Sequence, residues 1–217
     1  MDGYVLVNIL GGLLIATSLA IVLSKAPKQA AYIYIVQSLV LVALFVVLAV
    51  TTGSHSLFLW SISAFITKVV LLPGVILFLL KKMELSAVAL PGAIPQLVTV
   101  VLVAAELFLC FIAVQSIELP TAIEVKPALA ISLAHFFVGL TCIITQRNIV
   151  KQVFGYCLME NGSHLTLALL APNAPELIEV GIATDAIFAV VIMAIIVYRI
   201  YSSLNTVDAN ELKELRG

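Results

Sequence analysis

Seven long apolar stretches constrain this fold more than any other feature of the sequence. They fall at about residues 3–24, 31–51, 57–80, 95–117, 128–146, 148–171 and 177–200. Each is long enough for a helix to cross the roughly 30 Å hydrocarbon core of a bilayer. Charged residues make up only 11% of the chain, against about 25% in soluble domains. We therefore predict an all-α, polytopic membrane bundle of seven transmembrane helices, with the lipid bilayer as its surroundings.

The polar segments between these stretches are short. The longest are residues 81–94, 118–127 and the tail after Tyr201, and none has the length of a soluble catalytic domain. The cysteines Cys110, Cys142 and Cys157 lie inside apolar stretches without C-x-x-C spacing, which favours buried thiols over a disulfide or zinc site. The chain also has no phosphate loop or nickel ligand set, so no cofactor is predicted.

Positive charges indicate the orientation in the membrane. One set of connections, with the C-terminal tail, holds all but two of the basic residues, namely Lys25, Lys28, Lys81, Lys82, Arg147, Lys151, Arg199, Lys213 and Arg216. The other side holds Lys126 alone, and Lys68 is the one cation left inside a span. The N-terminus is therefore predicted outside and the C-terminus in the cytoplasm. Residues 1–12 lack the features of a removable signal peptide, and the net charge of -1 predicts no nucleic-acid partner.

Ionisable residues at membrane depth are the candidate functional groups, because they are costly in lipid. Glu160 and His164 are four residues apart and share a helix face. Lys68, Glu106 and Glu160 all lie near the middle of their spans, and Asp185 lies a few Å further out. Groups in one layer suit lateral transfer or coupling across the membrane plane better than a path from face to face.

Duller roles are open for each of these groups. Lys68 is a potential counter-ion of Glu106, Glu160 or Asp185, in a pair that only holds helices together. Glu160 is alternatively a packing residue, hydrogen-bonded to Asn161, Ser163 or a backbone group. Glu106 has apolar neighbours in sequence, and it must therefore face another helix or water.

The histidines allow a second class of function. His135 and His164 lie at similar depth on consecutive helices, where they could bind a haem from both sides. A proton relay or simple hydrogen bonding is the favoured role. His55 is expected in a solvated outer loop.

A weak internal repeat relates spans one to three to spans five to seven. Alignment of Lys28-Gln29 with Lys151-Gln152 places Gln37 opposite Glu160, and Thr67-Lys68 then falls opposite Thr184-Asp185. Both copies would have the same orientation, as in parallel membrane repeats.

The most specific motif is the run Gly155-Tyr156-Cys157-Leu158-Met159-Glu160-Asn161-Gly162-Ser163-His164, preceded by Gln146-Arg147-Asn148 and followed by a span with Asp185. It resembles the K-type subunit of respiratory complex I and the C subunit of multi-subunit sodium/proton antiporters, as does the ending Leu215-Arg216-Gly217. Over its full length the chain most resembles the hydrogenase-4 component E family of formate-hydrogenlyase-type complexes. The resemblance divides the chain into N-terminal membrane helices, residues 1–127, and a K-like three-helix module, residues 128–217.

The resemblance implies a non-catalytic inner-membrane subunit of a group 4 nickel-iron hydrogenase complex. Implied partners are antiporter-like and other membrane subunits, and indirectly nickel-iron and iron-sulfur subunits. Of the two K-type membrane glutamates, one falls on Asp185 and the other on Cys157, with Glu160 one turn later. Proton transfer is then expected at Glu160, Asp185 and His164, tuned or extended by the residues Lys68, Glu106 and His135. A structural adaptor without proton transfer and a sodium/proton antiporter component are the alternatives.

Overall fold

The computed structural model describes residues 3–84, 92–117 and 125–214, and the side chains up to residue 212. Seven long helices make up most of these residues. They are α1 (Gly3–Leu23), α2 (Pro27–Thr52), α3 (His55–Lys82), α4 (Gln96–Gln115), α5 (Lys126–Thr145), α6 (Ile149–Leu170) and α7 (Glu176–Leu204). A short 3-10 turn, Glu211–Glu214, follows α7. No strand occurs in the described ranges, so the predicted all-α fold is confirmed; the motif Leu215-Arg216-Gly217 lies outside them.

Six of these helices are long and apolar enough to cross a membrane by themselves; α6 is the exception. It has 22 residues, about 33 Å of helix, but its polar side chains lower its apolarity. Most of those side chains face protein, because α6 packs against α1, α2, α5 and α7; Lys151, Asn161 and His164 are buried, while Ser163 is exposed. The count of seven crossings and the orientation remain predictions.

The helix α3 changes its hydrogen-bonding pattern half-way. Residues Phe65–Leu71 form a π-helical turn, in which the Leu72 N–H bonds to the Thr67 carbonyl. Pro73 explains the change, because it has no N–H and its ring crowds the carbonyl four residues earlier. Such turns often occur at functional sites, and in this one Thr67 and Lys68 are the buried residues.

The helices α5 and α6 touch main chain to main chain. A methyl group added at Gly139 would lie 2.4 Å from the Met159 nitrogen, and one at Gly162 would lie 2.5 Å from the Phe136 nitrogen. Gly155 faces the same seam, 2.9 Å from the Gly139 carbonyl oxygen by the same measure. Small residues of this kind let membrane helices approach closely. Two glycines of the Gly155-to-His164 run are therefore explained by packing.

The two ends of the bundle are distinguished by their loops. We call the end with residues 24–26, 146–148 and the C-terminal tail the proximal end, and the end with residues 53–54 and 171–175 the distal end. At the proximal end the tail folds back, and the Arg147 guanidinium binds Asp208 through Nε, at 3.1 Å, and through a second nitrogen. The Arg147 hydrogen bond holds the pKa of the Asp208 carboxyl below its ordinary value of 3.8.

Candidate functional site

An ion pair of Lys68 with Glu160 lies near the middle of the bundle. The two side chains are 1% and 10% exposed, and they join the π-helical turn of α3 to α6. The Lys68 ammonium also donates to Asn161 Oδ1 at 2.8 Å. Of the counter-ions considered for Lys68, the structure selects Glu160.

A chain of hydrogen bonds runs from this pair through the interior. Asn161 Nδ2 donates to Gln37 Oε1 at 3.2 Å, and Gln37 Nε2 lies 3.1 Å from His135 Nε2. His135 Nδ1 lies 2.8 Å from the Ser18 hydroxyl, which donates to the Leu14 carbonyl at 2.6 Å. Five helices, α1, α2, α3, α5 and α6, meet in this chain.

The donors of the chain all point the same way. Because the Gln37 amide donates to Nε2, His135 carries its hydrogen on Nδ1 and is neutral. Each link then accepts from the Lys68 side and donates toward Ser18. The side-chain amides of Asn161 and Gln37 neither gain nor lose protons. This row of hydrogen bonds therefore positions Lys68 and does not pass protons onward. Haem ligation by His135 does not fit, since protein groups occupy both of its nitrogens.

Glu160 lies on the part of α6 that approaches α7. Its Oε1 atom is buried without a hydrogen-bond partner among the described residues. One turn earlier, the half-buried Tyr156 lies within electrostatic range of both Glu160 and Asp185. Asp185 itself is exposed on the outer surface of α7. No hydrogen bond or ion pair within the described ranges joins Asp185 to Glu160, and the structure therefore does not place the two expected relay carboxylates in contact.

Glu106 occupies a separate position on α4. It is half-buried and accepts a hydrogen bond from the Thr141 hydroxyl of α5, while its Oε2 atom has no partner in the described part of the chain. The structure thus satisfies one of its oxygens through a neighbouring helix, as expected for a carboxylate with apolar neighbours in sequence.

His164 pairs with a residue that sequence reasoning passed over. Its Nε2 atom lies 2.5 Å from Oε2 of Glu179, and the two side chains are 0% and 3% exposed. The ring packs against Phe45 and Trp60, with centroids 4.8 and 5.4 Å away. Glu179 lies in the first turn of α7, where an acid is common on electrostatic grounds, and its position near the edge of a span hid it. By contrast, His55 begins α3 and its exposed ring contacts the exposed Glu176 at 3.9 Å.

Comparison with known proteins decides the family. Hydrogenase-4 component E of Escherichia coli (strain K12) is 46% identical over 223 aligned positions that cover 100% of both chains. The chain belongs to the hydrogenase-4 component E family. The component E of Shigella flexneri has the same identity and coverage. A protein of Mycobacterium tuberculosis is 28% identical over 103 residues, 48% of this chain and 46% of that protein. No solved structure matches.

The C-terminal part of the chain also matches a wider family. Residues 127–217 match the model described as NADH-ubiquinone/plastoquinone oxidoreductase chain 4L, which confirms the K-type resemblance. That region supplies His135, Glu160 and Asn161 to the buried ion pair and its row of hydrogen bonds. Lys68, Gln37 and Ser18 come from the helices that precede it. The candidate site is therefore built by residues from within the matched region and from the helices that precede it.

Lys151 is a further buried cation that the sequence did not reveal. The prediction placed it in a loop, but it lies in the first turn of α6 and is 1% exposed. Its ammonium donates to the carbonyls of Val22 at 2.9 Å and Ser24 at 2.6 Å, and to Gln146 Oε1 at 2.7 Å. These acceptors close the C-terminal end of α1, where a cation is favourable. Lys151 therefore has a structural role, in which it ties the start of α6 to the end of α1.

Proposed function

We propose that the chain is an inner-membrane subunit of a group 4 nickel-iron hydrogenase complex, and that Lys68 and Glu160 handle protons within it. The buried Lys68–Glu160 pair carries the proposal. It brings a titratable acid and base together at mid-span, where ionisable groups are rare and commonly serve proton or ion movement. Nickel-iron and iron-sulfur subunits would perform the redox chemistry.

The pair suits a change of protonation because its surroundings hold Lys68 from a second side. When Glu160 takes up a proton, the ammonium loses its counter-ion but keeps its hydrogen bond to Asn161. A charge buried in a medium of low polarity responds strongly to charges brought nearby. Proton movement in a neighbouring subunit would in this way change the protonation of Glu160.

The exposed Asp185 marks where such a neighbour would pack. A carboxylate on the outer surface of a membrane helix is costly in lipid, and a partner helix with a cation or hydrogen-bond donor at the same depth would remove that cost. We place an antiporter-like subunit there. Tyr156, which is close enough to Glu160 and Asp185 to feel both charges, would join the internal pair to this interface, and the layer would then couple charges laterally.

The same proposal includes seven membrane crossings, an outer N-terminus and a cytoplasmic C-terminus. The distribution of basic residues supports this orientation, and the burial of Asn161 and His164 within the bundle supports α6 as one of the seven crossings. The proximal end of the bundle is then the cytoplasmic end.

Glu160→Gln in the assembled complex tests the proton-handling role. We expect proton movement across inverted membrane vesicles, recorded during formate-driven hydrogen evolution, to fall by about a hundredfold, the scale typical of a lost acid–base group. Glu176→Gln is the matched control, because Glu176 is exposed and its contact is with His55; it should leave proton movement unchanged. Wild-type proton movement by an assembled E160Q complex would exclude the role.

A purely structural adaptor is the second candidate, favoured by the side-chain amides of Asn161 and Gln37, which cannot titrate. On that view the charged pair fixes the packing of α3 against α6 and does nothing else. E160Q would then reduce the amount of intact complex, while each complex that does assemble would move protons at the wild-type rate. Quantitation of co-purified subunits beside the vesicle assay separates the two functions.

A further inference from the structure

We infer that His164 and Glu179 form a proton branch between Glu160 and the distal end of the bundle, with Glu179 as its terminal acid. The inference rests on the proposed role of Glu160 and names the route by which protons reach or leave it. Its basis is a second buried acid–base contact, one helical turn from the first and nearer to the distal surface.

Position supports a branch rather than an isolated pair. Glu160 and His164 are four residues apart on α6, and their side chains lie on one face of that helix. His164 is about 6 Å further toward the distal end along the axis. Glu179 is the fourth residue of α7, which begins at that end. The groups therefore advance from mid-span toward the distal surface, whereas the chain from Asn161 to Ser18 crosses the bundle.

Unsatisfied polar atoms support it independently. Glu160 Oε1, both ring nitrogens of His164 and both carboxylate oxygens of Glu179 are buried and have no hydrogen-bond partner among the described residues, so the close His164–Glu179 contact is not aligned as a hydrogen bond. The Trp60 indole nitrogen, beside the His164 ring, is in the same condition. Buried polar groups in folded proteins are satisfied by protein or by ordered water, and a site with several such groups suits water. Water between Glu160 and His164 would connect the two contacts.

The branch works with groups of suitable chemistry. Glu160 in its acid form gives its proton, through water, to Nδ1 of His164, and His164 gives the proton on Nε2 to the Glu179 carboxylate. Glu160 is then a carboxylate, the ring is neutral with its hydrogen on Nδ1, and Glu179, whose oxygens are buried, passes one proton on through water toward the distal surface. Exchange with water returns the ring hydrogen to Nε2, and the reverse sequence brings a proton inward.

The packing explains why the His164 ring is suited to this task. Phe45 and Trp60 contact it and hold its plane, so Nε2 stays at Glu179. Those aromatic neighbours also keep bulk water away from the contact, since Trp60 is 0% exposed. A proton can then move in steps between defined atoms without an open aqueous channel beside it.

The test is Glu179→Gln in the whole complex, with Glu176→Gln as its matched control three residues earlier on the same helix. Proton movement per assembled complex is recorded in inverted vesicles during formate-driven hydrogen evolution. We expect E179Q to lower it by about a hundredfold and E176Q to leave it unchanged. His164→Asn removes the relay from the other side of the contact and should give the same loss, which keeps the test valid if E179Q fails to assemble.

The outcomes separate this branch from the proposed function. Loss of proton movement in E160Q, E179Q and H164N supports both. Loss in E160Q alone, with E179Q or H164N at the wild-type rate, overturns the branch and leaves the role of Glu160 intact. Wild-type movement in all three variants overturns both.

Discussion

Lys68 and Lys151 are both buried lysines with 1% of their surface exposed, yet they are neutralised in different ways. Lys68 lies at mid-span and faces the carboxylate of Glu160. Lys151 lies at the proximal end and binds two main-chain carbonyls and one amide, with no carboxylate among its partners. The difference teaches what each position requires of a cation.

Position along the bundle accounts for the contrast. The carbonyls at the C-terminal end of α1 have no donors within the helix and carry partial negative charge, which suits an ammonium. Mid-span carbonyls are already used within their helices, so a cation there needs a full counter-charge. A lysine that faces a carboxylate can take part in proton exchange, while one that faces carbonyls serves to hold two helices together.

Removal of the mid-span cation should have the largest effect. Lys68→Met leaves Glu160 as an uncompensated buried carboxylate, and we expect it to lower the free energy of unfolding by about 3–5 kcal/mol. Thermal unfolding in detergent measures the change. The double variant Lys68→Met with Glu160→Leu should recover most of it, because an apolar pair replaces the ion pair. Equal stability of K68M and wild type would show that the pair contributes little.

Removal of the Lys151 ammonium should have a smaller and purely structural effect. Lys151→Met leaves the Ser24 carbonyl and the Gln146 amide oxygen without this donor, while the Val22 carbonyl keeps its hydrogen bond from Gln146 Nε2, and the expected loss is about 1–3 kcal/mol. Lys25→Met, at an exposed lysine in the nearby turn, is the control. Vesicle assays should find unaltered proton movement per assembled K151M complex. A large fall in that rate would erase the distinction drawn between the two lysines.

The smallest effect is expected at the tail that folds over the same end. Asp208→Asn weakens the contact with Arg147, which is 29% exposed, and should cost below about 1 kcal/mol near pH 7. The pKa of Asp208 is lowered in the fold, so its contribution is fully present above the ordinary value of 3.8 and is lost as the pH falls through the folded-state value. Wild-type and variant unfolding curves recorded from pH 7 to pH 3 should converge at the acid end. A constant gap would assign the loss to packing instead.

Much of this architecture could be predicted from the sequence. Apolar stretches predicted the helices, and depth along them selected Lys68 and Glu160. The pairing of these two was left open among several carboxylates. Both helices are apolar on most faces, so periodicity does not determine their rotation, and the π-helical turn before Pro73 changes the rotation of α3 as well.

Other residues were missed because they lie near the edges of apolar stretches. Glu179 was not among the candidate residues and Lys151 was counted with the connections, but helix packing buries both. The neutral links Gln37 and Asn161 have no charge to mark them in an apolar sequence. Only the three-dimensional arrangement joins them to His135.

Main-chain contact at Gly139 and Gly162 has a mechanical consequence. Side chains at a helix interface can change rotamer and let two helices slide, but at Gly139 and Gly162 no side chain separates α5 from α6. The two helices therefore move as one rigid unit. This holds His135 on α5 and Asn161 on α6 at a fixed separation. A shift in the geometry around Lys68 would therefore have to come from α3 itself or from α2, the neighbouring helix that packs most closely against the π-helical turn.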